Sequence, residues 1–155
     1  MIITFTGNIF SLRKMDIIFN PVNCEGVMGK GLALEFKNRF PGNFEVYKKA
    51  CDNNEVKIGK VLMYHVGDNS YPKFICNFPT KDHWKYPSKL SYIESGMDDF
   101  ITQFIGAYPI TENIKTIAIP ALGCGLGGLQ WSIVKEVIKE KCVELLNINI
   151  FLVDN

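Results

Sequence analysis

With 155 residues, 47% of them hydrophobic and 21% charged, the chain has the length and composition of one folded domain with a two- or three-layer core. Its formal net charge of +1 excludes a bulk basic field that grips duplex nucleic acid, so any nucleic-acid contact needs a local patch. The five cysteines (Cys24, Cys51, Cys76, Cys124 and Cys142) form no CxxC pair, which excludes a zinc framework and a disulfide scaffold and suits a reducing cytosol.

Ile2–Thr6 opens the chain as a strand pattern, with no basic segment before it that would make a signal peptide. No apolar stretch reaches the length of a membrane span, so a cytoplasmic protein is expected. Asp16–Val22 is a second strand pattern. Leu32, Phe36 and Phe40 then share one helical face, and a further helix is predicted over Asn43–Asp52, with Phe44 and Tyr47 one turn apart. Lys60–Val66 and Lys73–Phe78 read as a strand pair across the turn-rich GDNSYP. Leu90, Ile93, Met97, Phe100, Ile101, Phe104 and Ile105 follow helical spacing. Thr116–Leu122 reads as a buried strand, Val134 to Leu145 as the last helix, and Ile148–Asp154 as a closing strand. Strands alternating with helices predict an α/β sandwich around a largely buried, mixed sheet. The chain ends one residue after its last strand pattern, as expected of a compact protein or an excised domain.

Two glycine-rich loops each lie between a strand pattern and a helix pattern: Asn23 to Gly31 (NCEGVMGKG) and Gly123 to Gly128 (GCGLGG). Glycine lets backbone N–H groups turn towards an anion, and a helix N-terminus behind the loop adds its dipole. Two such loops opening at one sheet edge suit the two halves of a diphosphate clamp; each taken alone is equally readable as a tight turn. The first is no Walker A loop, because GVMGKG has two residues between its first glycines and Gly31 where a magnesium-binding hydroxyl belongs. The second matches GxGxxG but lies near the chain's end, whereas a dinucleotide-binding unit carries that motif in its first turn.

Four stretches in this order, NPVNCEGVMGKGLALEFKNRFP, GKVLMYHV, NFPTKDHW and PALGCGLGGLQW, resemble a macrodomain. More narrowly they resemble the branch of DarG-type DNA ADP-ribosyl glycohydrolases, the antitoxins of DarT toxins, and the related terminal ADP-ribose glycohydrolases. The resemblance spans residues 1–155 and implies a three-layer α/β/α fold that binds ADP-ribose across loops at one edge of a mixed sheet. It implies no cofactor and no metal. Gly7, Asn8 and Ile9 would lie at the adenosine end, with Asn8 where many macrodomains carry an Asp. Val27, Met28, Gly29, Lys30 and Gly31 would line one side of the diphosphate, and Gly123, Cys124, Gly125, Leu126 and Gly127 the other. Lys30, opening a helix, is more readily a solvated side chain, because the backbone can do the anion binding.

In the related glycohydrolases the lysine after the NFPT strand is catalytic, which implies that role for Lys81 beside Thr80. A lysine desolvated in a pocket is a usable nucleophile towards an anomeric carbon. The resemblance places Asn23 at the distal ribose as the second catalytic and binding group; from the sequence alone it is a turn-stabilising Asn. The terminal ADP-ribose glycohydrolases pair their lysine with an Asp in the second loop, where this chain has Gly127. Glu25, Asp82 and His83 are candidate proton carriers, while small-residue packing explains Cys24 and Cys124 without a nucleophilic role. His83, Trp84 and Lys85, with Tyr86 and Lys89, form either a basic-aromatic surface for single-stranded DNA or an ordinary capping loop with its rings in the core. The expected substrate is ADP-ribose on a nucleobase of single-stranded DNA, and a DarT-type toxin is the expected partner. An ADP-ribose reader without turnover and an ADP-ribose 1″-phosphate phosphatase are the alternatives.

Overall fold

The computed structural model describes residues 1–154. Six strands form one sheet in the order β1-β6-β5-β2-β4-β3: β1 (Ile2–Thr6), β2 (Ile17–Asn23), β3 (Leu62–His65), β4 (Phe74–Lys81), β5 (Thr116–Ile119) and β6 (Asn149–Asp154). All neighbours are parallel except β3, which pairs antiparallel with β4 across the expected turn. The mixed sheet of the sequence reading is therefore present. The long helices are α1 (Gly31–Arg39), α2 (Pro41–Asp52), α3 (Leu90–Gly106) and α4 (Trp131–Lys141).

Alternation along the strands divides the core in two. Ile17, Phe19, Phe78, Ile117, Ile119, Ile150 and Leu152 face α3 and α4, where Ile93, Met97, Phe100, Val134 and Ile138 meet them. Ile18, Ile75, Ala118 and Val153 turn the other way, towards Phe36 of α1. α2 covers the end of that second face through Tyr47 and Ala50. These two helical layers around the sheet make the three-layer α/β/α fold. α3 approaches closely because its mid-helix residue is Gly96, where a Cβ would run into the Phe78 ring. Truncating Phe100 to Ala in this layer costs about 3–5 kcal/mol.

Element boundaries depart from the pattern in informative ways. α2 starts two residues early, at Pro41, whose fixed φ suits a first helical turn. α4 stops at Lys141, and a short 3-10 turn over Cys142–Glu144 brings Cys142 and Leu145 into the core. β5 ends at Ile119 before Pro120, while β4 runs on to Lys81.

At the N-terminal edge of the sheet, the buried Asp16 carboxylate accepts from the Lys115 and Thr116 amides at 2.7 and 3.1 Å and pairs with Lys73 at 3.3 Å. The opposite edge collects the C-terminal ends of β1, β2, β4 and β5. That is where open parallel sheets place their ligands.

Candidate functional site

Both glycine loops leave the C-terminal edge, from the adjacent strands β2 and β5. In the first loop Asn23 is the organiser. Its Oδ1 accepts from the Glu25 amide (2.9 Å), the Val27 amide (3.4 Å) and the Tyr47 hydroxyl (2.9 Å), while its Nδ2 donates to the Val27 carbonyl at 2.8 Å. The buried Tyr47 shares its single hydroxyl proton between that Oδ1 and the Asn23 carbonyl, 2.7 Å away. This narrows the ligand role expected of Asn23: its oxygen is taken up by the loop, and one Nδ2 hydrogen is left for a ribose hydroxyl. Beneath the loop, Met28 is buried against Val22 and Tyr47, so only its backbone faces outwards, whereas the Val27 side chain is exposed. A buried amide chain, Asn20 to Asn77 (3.1 Å) and Asn43 to Asn77 (3.1 Å), supports that floor.

The loop then runs into α1 with Lys30 as the residue before the helix, its side chain exposed and making no capping bond. The amides of Gly29, Lys30 and Gly31 meet no acceptor among the described residues, and Gly31 has φ +59°. Free amides at a helix N-terminus are groups able to take an anion.

The second loop is held by backbone turns. Cys124 donates to Ala121, Gly127 to Cys124, Gly128 to Gly125 and Leu129 to Gly123, all within 3.1 Å. The amides of Gly125 and Leu126 are left without an acceptor among the described residues, and Leu126 is 73% exposed. Gly123 has φ +73°, and a Cβ there would meet Leu129 at 2.8 Å and Ser88 at 3.2 Å, so only glycine fits.

Lys81 closes β4 opposite Asn23: the two are Cα partners in the parallel ladder. The register slips by one residue just before them, so that Val22 pairs with Pro79 and Asn23 with Lys81. Along β4 the odd positions Ile75 and Asn77 face the α1/α2 layer. The inserted residue, Thr80, reverses that alternation, and Lys81 turns towards the second loop. Its Cε lies 3.9 Å from the point a Cβ would occupy at Gly127, and its Nζ donates to the Trp84 carbonyl at 3.3 Å. Position 127 thus stands beside the lysine, but the same Cβ would overlap Ser88 Oγ. Ser88, 7% exposed, bonds its amide to the Gly127 carbonyl at 2.9 Å, and its hydroxyl has no partner among the described residues. Sequence reasoning did not single out Ser88; its signal is visible only once the loops are brought together.

At the far end, Gly7 donates to the Asp154 carbonyl at 3.0 Å, and Asn8 Oδ1 accepts from the Phe10 amide at 2.9 Å as a helix cap. The Ile9 side chain is core, so Ile9 has only its backbone for a ligand. Asp154 is held by Trp131 Nε1 and Lys135, which keep its carboxyl below the usual carboxylate range.

Burial, reinforced by Asp82, Cys51 and Glu25, pushes the Cys24 thiol up to about 12, and burial raises Cys124 too. Both shifts run against a thiolate nucleophile. Trp84 and Tyr86 are 51% and 62% exposed. Their rings lie 5.2 and 5.4 Å from His83, and Lys85 Nζ is 5.4 Å from the Trp84 ring. Of the two readings of this stretch, the exposed rings match the surface rather than the core. No group of three or more potential metal-ligating side chains occurs among the described residues, and no helix there is long and apolar enough to cross a membrane.

A family model described as "Macro domain" matches residues 19–138. The DNA ADP-ribosyl glycohydrolase of Thermus aquaticus is 40% identical over 147 residues, which is 94% of this chain and 39% of that protein. The solved macrodomain of Mycobacterium tuberculosis DarG superposes with a TM-score of 0.92 at 40% identity, covering 100% of this chain and 98% of that one. A Thermosipho africanus DarTG structure in complex with ADP-ribose gives a TM-score of 0.82 at 33% identity, over 98% of this chain and 42% of the other. The chain spans less than two fifths of the curated DNA ADP-ribosyl glycohydrolases it matches.

Proposed function

The chain belongs to the macrodomain family, and from that premise we propose that it is a DNA ADP-ribosyl glycohydrolase. It removes ADP-ribose from a nucleobase of single-stranded DNA in the cytoplasm, as the antitoxin that reverses a DarT-type toxin. The observation that carries this reading is the pairing of Asn23 and Lys81 at adjacent strand ends, with Lys81 turned towards the second glycine loop. The relatives' names supply the substrate class; the surface of exposed Trp84 and Lys85 with half-buried His83 supports a single strand.

ADP-ribose lies along the sheet edge in this reading. The free amides of Gly29 to Gly31 and of Gly125 and Leu126 take the diphosphate from two sides. Gly7 and Asn8 meet the adenosine. Asn8, with one lone pair already used by Phe10, accepts from the adenine amine without charge assistance. Asn23 donates its remaining hydrogen to the distal ribose. The Lys81 amine acts at C1″, as nucleophile or as electrostatic support, while the bond from C1″ to the base breaks. Water supplies the hydroxyl that ends on C1″, and its proton ends on the released base.

Incubation of the chain with an oligonucleotide carrying ADP-ribose on a base, followed by mass spectrometry, tests this. Wild type removes the modification, and Lys81→Ala slows removal by at least about 100-fold while keeping ADP-ribose binding. Equal rates for the two proteins would sink the lysine mechanism. The lack of a carboxylate at Gly127 favours a second reading, a reader that binds ADP-ribose without turnover. Binding by both proteins with the DNA left modified over hours would establish that one.

A further inference from the structure

Beside the Asn23–Lys81 pair lies a cavity of about 580 Å³, lined by Cys24, Glu25, Asn54, Ile58, Asp82 and Tyr92, with Lys57 also on its wall. Neither glycine loop's diphosphate-facing segment contributes to it. Its link to the chemistry is covalent and short: Cys24 and Glu25 follow Asn23, and Asp82 follows Lys81. The Cys24 amide donates to the Asp82 carbonyl at 3.2 Å, tying these two walls together. A group attached to the ribose carbon between Asn23 and Lys81, on the side away from the diphosphate, has this cavity next to it.

We infer that this cavity is the subsite for the modified nucleobase, the group that leaves. The inference rests on the glycohydrolase reading above. Its lining suits a flat heterocycle with polar edges. Tyr92 and Ile58 offer ring and aliphatic surface to the faces of a base. Glu25 and Asp82 accept from ring or exocyclic N–H groups, and Asn54 both donates and accepts. The Cys24 thiol stays neutral beside them. Enzymes that act on a base hold it in this manner, by stacking and by its hydrogen-bonding edge. The volume falls within the range of small-molecule sites and takes the base with its deoxyribose. Two carboxylates repel a phosphate backbone, and cations offset them: Lys57 on the wall, and Lys89, whose Nζ is 5.9 Å from the Tyr92 ring centroid. The neighbouring nucleotides then run over the exposed Trp84 and Tyr86.

Steady-state hydrolysis of the ADP-ribosylated oligonucleotide, set beside calorimetric binding of free ADP-ribose, tests the subsite, because free ADP-ribose carries no base. Tyr92→Ala raises KM for the oligonucleotide about 5- to 50-fold and leaves the affinity for ADP-ribose within about twofold. Tyr92→Phe, which keeps the ring, stays near wild type. Ile58→Ala, a milder change to the same wall, raises KM in the same direction by less. The inference is overturned if Tyr92→Ala and Ile58→Ala leave KM unchanged. It is equally overturned if both ligands weaken in proportion, which marks a structural role, or if an ADP-ribosylated peptide is cleaved as well as the oligonucleotide. A wild-type protein that neither binds ADP-ribose nor cleaves the oligonucleotide removes the glycohydrolase reading and the subsite together, whereas normal turnover with an insensitive KM removes the subsite alone.

Discussion

The two glycine loops leave the same sheet edge and expose backbone amides there, but they are held in different ways. Side chains hold the first loop: the Asn23 amide bonds four groups, Tyr47 secures Asn23 from α2, and Met28 is sunk into the core. The second is held by consecutive backbone turns, and what shapes it is the absence of side chains at Gly123 and Gly127. A loop fixed by side chains fails when a polar partner is removed; a loop fixed by missing side chains fails when an atom is added.

The strongest test of this contrast adds one methyl group to the second loop. Gly123→Ala forces a side chain into a left-handed conformation and against Leu129 and Ser88. It costs about 2–4 kcal/mol in urea denaturation and weakens ADP-ribose in calorimetry. A loss under about 0.5 kcal/mol would mean that the second loop yields easily. The corresponding deletion in the first loop is Tyr47→Phe, which leaves the Asn23 carbonyl without its buried partner. About 1–3 kcal/mol of stability is lost, and a double-mutant cycle with Asn23→Ala shows strong coupling. Additive losses would show that the two side chains do not act together.

Alkaline pH sharpens the comparison at a single thiol in the first loop. Cys24 titrates near 12 in the folded chain against an ordinary 9, so its stabilising effect is complete below pH 9 and is lost as pH rises from 9 towards 12. The stability difference between wild type and Cys24→Ala is therefore expected to shift against wild type between pH 8 and 10.5 in denaturant titrations. A constant difference would place the thiol in water. The smallest effect belongs to Ser88→Ala. Because the hydroxyl has no protein partner, its removal changes stability by less than about 0.5 kcal/mol or raises it. A loss above 1 kcal/mol would reveal a bond that the folded chain makes through Ser88 Oγ.

Much of the architecture was legible in the chain itself. Short apolar runs marked all six strands, and the spacing of Ile93, Met97 and Phe100 marked α3, because burial on one face of a helix leaves a period in the sequence. Both loops announced themselves through glycine, since tight turns and exposed amides need that residue. Element ends were less legible. Pro41 opening α2 is a local signal that apolar periodicity passes over, while Lys81 extending β4 depends on pairing with β2, far along the chain.

What only the tertiary structure decided concerns direction. NFPTKDHW places a lysine after a strand, but the one-residue slip at Thr80 sets which face of the sheet that lysine serves, and strand pairing alone produces such a slip. Asn23 was visible as a candidate, yet its amide is occupied by its own loop, a fact that needed Tyr47, 24 residues away, to be brought alongside. Ser88 had no signal at all, being one small polar residue in a loop. It became meaningful when folding set it under Gly127 beside Lys81. The sequence by itself determined the layers, the order of strands and helices and the two glycine loops, because these follow from local spacing and backbone freedom. Which side chains meet, and which are already engaged, follows from long-range packing, and only the folded chain carries that.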